Sequence, residues 1–200
     1  MSKKARSPPA KGLCVVQVNT RGWERTGPSW GRKRARWYKN IAWNLAVCMK
    51  KVNNSDLRLA DFHSPVRQDR AGDPHGGVAI YVRNKLYCKP RPVLHVNNLE
   101  AVCVETKLNQ EIFLVGTFYR HPNAKTVYWD LISERIQKVN NTMTKYIILG
   151  DFNVGCLNNP SKHLPEILHM YQLHQLINSP IRITETTSSC LDLIINRNPE

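Results

Sequence analysis

The segment Tyr146-Ile147-Ile148-Leu149-Gly150-Asp151-Phe152-Asn153 carries the strongest structural signal in the chain. Its first four residues are apolar or β-branched, and such a run predicts a buried strand. Gly150 ends the run and, because it lacks a Cβ, allows the backbone to turn sharply. Asp151 and Asn153 are two residues apart, so in extended geometry both side chains leave the same face, while Phe152 points into the core.

An Asp and an Asn that project together from a strand end suit phosphodiester chemistry. The carboxylate of Asp151 can orient or deprotonate a water, and the amide of Asn153 can donate hydrogen bonds to a phosphoryl oxygen. The alternative is turn chemistry, in which both side chains bond to nearby backbone amides. The segment alone leaves both interpretations open, so the rest of the chain has to decide between them.

The charge of the chain favours a polyanionic partner. The 200 residues carry a formal net charge of +14, and residues 1–40 hold eleven Lys or Arg against a single acid, Glu24. A basic arm of this kind favours nucleic acid through long-range attraction and counterion release, so we predict DNA as the partner. A solubilising tail without a specific partner is the alternative. Residues 1–11 are basic and proline-bearing, which predicts a disordered tail before one domain over 12–200.

The cysteines and the hydropathy indicate an intracellular protein. The six cysteines include no Cys-x-x-Cys pair, which argues against a disulfide framework and against a zinc site. No run of 18 apolar residues occurs, and the N-terminus lacks the apolar region of a secretory signal. We therefore predict no membrane segment and an intracellular location, and the basic arm also allows the nucleus.

Apolar patterns predict an order of strands followed by helices and strands. Strands are predicted over 13–18, 57–62, 78–82, 86–96, 100–108, 112–119, 146–149 and 191–195. Helices are predicted over 33–50, 124–140 and 164–177, with Asn123 capping the second, and residues 66–74 are predicted as a charged loop. Many strands early in the chain, with helices flanking the later strands, indicate a layered α+β sandwich.

Four parts of the chain together resemble a known superfamily. They are Arg67-Gln68-Asp69-Arg70 with Gly76-Gly77-Val78-Ala79-Ile80-Tyr81-Val82; Gly116-Thr117-Phe118-Tyr119-Arg120-His121-Pro122-Asn123; Gly150-Asp151-Phe152-Asn153; and Ile181-Arg182-Ile183-Thr184 with Cys190-Leu191-Asp192-Leu193-Ile194. In this order they resemble the endonuclease/exonuclease/phosphatase superfamily, in particular the endonuclease domain of LINE-type non-LTR retrotransposons. The resemblance covers about residues 57–197 and implies a four-layer αββα sandwich, while residues 12–56 diverge.

The resemblance implies a role for each matching residue. Asp151 would activate the nucleophilic water, Asn153 would bind the scissile phosphate, and Tyr119 would hydrogen-bond that phosphate near the transition state. Asn19 resembles the first-strand Asn at the metal site, where Mg²⁺ is the expected cofactor. Asp192 would orient a catalytic histidine, as a carboxylate does for imidazole.

Arg67, Arg70 and Arg120 are candidate contacts to phosphates of the nucleic acid. Each candidate in the chain also has an ordinary structural explanation. Tyr119 could be a strand aromatic, Asn19 a turn residue and Asp192 a solvated strand-edge acid, and surface arginines commonly have no specific partner.

Two departures from the family pattern predict impaired catalysis. The family has a metal-binding glutamate at the end of its second strand, where this chain reads Val47-Cys48-Met49-Lys50-Lys51-Val52 and has no acid. It also ends in a Ser-Asp-His signature that is absent here, which predicts a fold lacking its last strand and a truncated C-terminus. Loss of a general acid or base typically costs 10²–10⁴-fold in rate.

The resemblance implies Mg²⁺-dependent hydrolysis of DNA phosphodiester bonds, that is nicking. The incomplete set of catalytic residues predicts that this activity is impaired. The competing hypothesis is an inactive remnant that binds nucleic acid through its basic N-terminal arm. Phosphatase action on inositol or lipid phosphates uses the same fold and is a third alternative, which the retrotransposon-like segments disfavour.

Overall fold

Two β-sheets pack face to face, and two α-helices lie against the outer face of the larger sheet. A computed structural model describes residues 14–20, 41–47, 54–55, 57–70, 76–108, 110–154, 162–177, 182–183, 188–189 and 192–197. The predicted α+β sandwich is confirmed. The predicted tail over 1–11 and the outer helical layer on the smaller sheet fall outside these residues.

The described residues contain twelve strands, two α-helices and one 3₁₀ turn. In chain order they are β1 Cys14–Thr20, β2 Ile41–Val47, β3 Val66–Asp69, β4 Gly77–Tyr81, β5 Cys88–Pro90, a 3₁₀ turn Pro92–Leu94, β6 Glu100–Leu108, β7 Glu111–Tyr119, α1 Val127–Thr142, β8 Tyr146–Asp151, α2 His163–Met170, β9 His174–Gln175, β10 Arg182–Ile183, β11 Ser188–Ser189 and β12 Asp192–Asn196. The strands predicted over 13–18, 78–82, 100–108, 112–119, 146–149 and 191–195 are all confirmed.

The larger sheet has the order β5-β6-β7-β8-β12-β9 and the smaller sheet the order β1-β2-β4-β3. In the larger sheet β6 and β7 form the predicted antiparallel hairpin, β7 runs parallel to β8, and β12 runs antiparallel to β8. In the smaller sheet β1 is parallel to β2, and β4 is antiparallel to both β2 and β3. The strands β10 and β11 pair separately as a short antiparallel ribbon.

The central strands are apolar on both faces because each face is covered. Between the sheets pack Val78, Ile80, Val104, Val115 and Leu149, all of them essentially inaccessible to solvent. On the other face of the larger sheet, the apolar sides of α1 and α2 cover a second set of strand residues that includes Leu114, Phe118 and Ile148. A strand buried in this way reads as a continuous apolar run rather than a strict alternation.

The predicted helix over 33–50 is wrong where the structure describes it, because Ile41–Val47 is strand β2. The helical prediction relied on apolar residues at 37, 41, 45 and 48. The same stretch also places Ile41, Trp43, Leu45 and Val47 at a spacing of two, which is the strand period. Pairing with β1 and β4 selects the strand, and sequence periodicity could not supply that long-range contact.

Other local predictions are corrected in detail. Residues 66–69 form edge strand β3 rather than a loop, and residues 57–62 are turns with a single bridge from Phe62 to Arg83. Instead of one strand over 86–96, the structure has the short strand β5 and a 3₁₀ turn, consistent with the two prolines of this stretch. Helix α1 begins at Val127 after Thr126, so Asn123 does not cap it. Helix α2 stops at Met170, because the left-handed residue Gln172 leads into β9.

None of the helices within the described part of the chain is long and apolar enough to cross a membrane.

Candidate functional site

A row of polar residues crosses four adjacent strands of the larger sheet at one edge. Glu100 of β6 is paired with Tyr119 of β7, Tyr119 with Asp151 of β8, and Asp151 with Asp192 of β12. Three of the four were predicted as catalytic residues from widely separated parts of the sequence. The strand register therefore brings the backbones of Tyr119, Asp151 and Asp192 side by side.

The smaller sheet presents Asn19 at the same edge of the sandwich. Its register row consists of Asn19 in β1, Ala46 in β2, Val78 in β4 and Gln68 in β3. Arg70 follows β3 directly and bonds Glu100 of the first row, which shows that the two rows lie at a common edge. Because β1 also contacts β8, Asn19 is located on the strand that faces the one carrying Asp151.

Asp151 is the last residue of β8 and is only 3% exposed. Its Oδ1 accepts a hydrogen bond of 3.2 Å from the backbone N–H of Asn153. Asn153 has a φ of 49°, in the left-handed region that Asn tolerates better than most residues. The two side chains consequently do not leave a straight strand together, as extended geometry predicts, but lie on a tight turn that the Asp side chain itself closes.

The strand continues through Gly150, so the expectation that this glycine makes the sharp turn is wrong. A Cβ added at Gly150 would lie 2.4 Å from the carbonyl oxygen of Phe118 and 2.8 Å from Cε2 of Phe152. Gly150 is needed because β7 and the Phe152 ring pack directly against its Cα. The turn itself is made by Asn153.

Arg120 lies in the interior rather than on a nucleic-acid-binding surface, being 8% exposed. Its Nη2 donates 2.9 Å to the carbonyl oxygen of Ala124, its Nη1 donates 3.4 Å to that of Phe152, and its guanidinium lies 5.0 Å from the ring centre of Trp129. Burial lowers the pKa of this guanidinium. Arg120 thus ties the segment after β7 to the turn after β8.

The backbone of Arg120 holds the same turn by two more hydrogen bonds. Its N–H donates 2.9 Å to the carbonyl oxygen of Asp151, and its own carbonyl accepts 2.7 Å from Nδ2 of Asn153. One amide hydrogen of Asn153 is used in this bond, and the other can be donated to a ligand. The segment after β7 therefore orients both Asp151 and Asn153.

We expect Arg120→Ala to lower the free energy of unfolding by about 2–4 kcal/mol, because two carbonyl groups lose their donor and the Trp129 ring loses its packing partner. Urea unfolding followed by far-UV circular dichroism would measure the change. The exposed Lys125→Ala is the matched control, since it removes a cation from the same segment outside the interior. Equal stability of the two variants would contradict the structural role of Arg120.

Tyr119 stands between the two sheets with part of its ring exposed. The guanidinium of Arg70 lies 5.4 Å from its ring centre. Partial burial raises the pKa of the Tyr119 hydroxyl, while the positive charge of Arg70 opposes that rise. The backbone is fixed as well, because the hydroxyl of Tyr128 donates 2.8 Å to the carbonyl oxygen of Tyr119.

The other arginine candidates are paired with carboxylates. Arg67 forms an ion pair with Asp69, and Arg70 forms a two-point ion pair with Glu100. Sequence reasoning missed Glu100. The predicted hairpin could have found it, because a two-residue link between Leu108 and Glu111 places Glu100 opposite Tyr119.

The residues at this edge can supply oxygen ligands to a divalent metal ion. Within the described ranges no three His, Cys, Asp or Glu side chains converge. Besides Glu100, which is paired with Arg70, the row contains the carboxylates of Asp151 and Asp192, and Asn19 lies on the facing strand. Mg²⁺ commonly binds one or two carboxylates and takes its other ligands from water and substrate phosphates.

The chain is similar to proteins of known fold. The sequence profile of the Endonuclease/Exonuclease/phosphatase family matches residues 18–199. Among solved structures, the endonuclease domain of TRAS1, a telomere-specific non-LTR retrotransposon, is 19% identical with a TM-score of 0.69, covering 90% of this chain and 82% of that one.

Two further solved structures have a similar fold. A mannosyl-6-phosphatase of Bacteroides thetaiotaomicron is 14% identical, with a TM-score of 0.62 over 92% of this chain and 85% of that one. A humanized D. rerio TDP2 is 11% identical, with a TM-score of 0.60 over 92% and 82%. No curated protein sequence matches the chain.

Proposed function

The chain belongs to the Endonuclease/Exonuclease/phosphatase family, and from this premise we propose that it is a retrotransposon-derived phosphodiesterase that nicks DNA. Enzymes of the family generally use divalent metal ions. The observation that carries the proposal is the register row of Tyr119, Asp151 and Asp192, which faces Asn19 across the sandwich. A row of one phenol and two acids at a single sheet edge suits attack on a phosphate.

In the proposed reaction Asp151 accepts a proton from the attacking water as the water oxygen bonds to phosphorus. The P–O bond to one sugar breaks, and the departing sugar oxygen takes a proton from solvent. Burial in the turn and the hydrogen bond from the Asn153 amide hold its carboxylate in one orientation. The second amide hydrogen of Asn153 and the hydroxyl of Tyr119 donate to phosphoryl oxygens, which stabilises the negative charge that develops there. Asp192 has no histidine after it in this sequence that it could orient, so the proposed reaction assigns it no step.

Mg²⁺ is the proposed metal. Bound beside Asp151 by oxygen ligands that include Asn19 on the facing strand, it would supply positive charge to the phosphate. The segment 47–52 has no acid that could add a second carboxylate to this position. We therefore propose low Mg²⁺ affinity and slow turnover.

DNA is the proposed substrate on grounds of charge and motif rather than fold, since similar folds include a sugar phosphatase. The net charge of +14 is concentrated in residues 1–40. Positive charge of this density attracts a polyanion in a salt-dependent way and suits a nuclear protein. A small sugar phosphate would gain little from a basic segment of that length, part of which is strand β1.

The test is conversion of supercoiled plasmid to open circle. We expect the wild-type chain to nick the plasmid slowly with Mg²⁺ and not with EDTA, and we expect Asp151→Ala to abolish nicking. A protein that never nicks but retards DNA, with affinity falling as salt rises, would instead be the binding remnant. The missing acid at 47–52 favours that second function.

A further inference from the structure

We propose that Arg70 is a positioning residue that sets the orientation of the Tyr119 hydroxyl and strengthens it as a hydrogen-bond donor to phosphate. The inference rests on the proposed function for its activity readout and on geometry for the rest. The sequence suggested that Arg70 touches the nucleic-acid backbone from outside. Its contacts instead place it behind Tyr119, between the two sheets.

A carboxylate fixes the guanidinium of Arg70 in one plane. Its Nε donates 2.7 Å to Oε1 of Glu100, and its Nη2 donates 3.2 Å to Oε2. Two parallel bonds of this kind define an orientation as well as a distance, and lysine cannot reproduce them. Both side chains are mostly shielded from solvent, which keeps the pair from being exchanged for water. Glu100 is thereby used as a structural anion.

The fixed guanidinium acts on Tyr119 in two ways. It lies 5.4 Å from the ring centre, so its charge attracts the ring, and the same charge opposes the rise in the phenol pKa that partial burial causes. Because a guanidinium has donors and no acceptor, it does not compete for the phenol hydrogen, which stays available for a phosphoryl oxygen. A nearby cation makes the phenol a stronger hydrogen-bond donor.

The chain makes room for this arrangement with Gly76. A Cβ at Gly76 would lie 2.5 Å from Cζ of Arg70, and the residue has a φ of +130°, which favours glycine. The backbone N–H of Arg70 also donates 3.3 Å to the carbonyl oxygen of Gly76. Gly76, directly before β4, thus makes room for the Arg70 guanidinium.

The backbones of Glu100 and Tyr119 are joined by one further side chain. The N–H of Glu100 donates 3.1 Å to the hydroxyl of Tyr128, and that hydroxyl donates 2.8 Å to the carbonyl oxygen of Tyr119. Glu100 and Tyr119 are also register partners. The ion pair and the phenol are therefore built on one rigid unit, as positioning requires.

The activity test is a double-mutant cycle in the plasmid assay. We expect Arg70→Gln to lower kcat about 10–100-fold with little change in KM, and Tyr119→Phe to lower it similarly. The double variant should lose no more than Tyr119→Phe alone, because Arg70 acts through that hydroxyl. Losses that multiply in the double variant, or a loss confined to KM, would overturn the proposal.

A second test does not depend on activity. In protein labelled with 3-fluorotyrosine, the ¹⁹F resonance absent from Tyr119→Phe belongs to residue 119, and fluorination brings phenol titration into a milder pH range. We expect the Tyr119 midpoint to rise by about 1 pH unit in Arg70→Gln, since a nearby positive charge is lost. An unchanged midpoint would overturn the proposal even if the protein nicks DNA. A shifted midpoint in a protein that never nicks would support positioning and count against the proposed function.

Arg83→Gln is the matched control in both tests. Arg83 also places a guanidinium over an aromatic ring, 5.1 Å from the centre of Phe62, but it lies past the opposite end of β4. The Arg83→Gln substitution removes one positive charge and one contact between a guanidinium and an aromatic ring, as Arg70→Gln does. We expect wild-type nicking and a wild-type Tyr119 midpoint from this variant.

Discussion

Replacing Asp151 by Asn is expected to reduce plasmid nicking about 10³-fold or more while leaving the fold in place. The amide keeps the volume of the carboxylate and retains an oxygen that can accept from the N–H of Asn153, so the turn after β8 stays closed. It loses the negative charge and the basicity that a proton acceptor needs. The expected shift in the free energy of unfolding is below about 1 kcal/mol, because no cavity forms.

The measurement compares initial nicking rates and urea unfolding midpoints of the two proteins. Asp130→Asn is the matched control, because it makes the same chemical change on the exposed first turn of α1, away from the register row. We expect that variant to nick like wild type. Nicking by Asp151→Asn at the wild-type rate would show that the cleavage occurs elsewhere or comes from a contaminant.

Local signals account for the part of the fold that was predicted correctly. The hairpin of β6 and β7 follows from two β-rich runs around a short link, and β8 follows from a buried apolar run ending in Gly-Asp. Both signals are complete within about twenty residues. Strand β2 is different, because its sequence satisfies the helical and the strand period and only its neighbours in the sheet decide between them.

The same contrast between local sequence signals and long-range contacts explains which site residues could be predicted. Asp151 and Tyr119 were identified from the residues around them, and register then placed them side by side. The roles of Arg70 and Arg120 depend on burial by elements far along the chain, so in the sequence they resemble surface arginines. Nothing in the sequence distinguishes Glu100 from other acids, because its partner Arg70 follows a strand of the other sheet. Tertiary structure, rather than residue type, gives these three side chains their partners.

Gly150→Ala is expected to lower the free energy of unfolding by about 3 kcal/mol or more. The added Cβ would lie 2.4 Å from the carbonyl oxygen of Phe118, and Phe118 is the register partner of Gly150 in the parallel pair β7–β8. Relief requires the backbone of one central strand to move, because a carbonyl cannot rotate away as a side chain can. Overpacking of a core typically costs 1–3 kcal/mol even when side chains can adjust.

Gly116→Ala separates this effect from the general cost of adding a methyl group to the sheet. Gly116 lies in β7, and a Cβ there would meet three side chains, Sγ of Cys103 at 3.3 Å, Cε1 of Phe118 at 3.4 Å and Cγ1 of Ile148 at 3.5 Å. Since these groups can shift by a few tenths of an ångström, we expect a change below about 1 kcal/mol. Urea midpoints of the two variants would test the difference, and equal midpoints would refute the role of the Phe118 carbonyl.

In Gly150→Ala, nicking should fall even at low temperature where the variant remains folded, because any shift between β7 and β8 separates Tyr119 from Asp151.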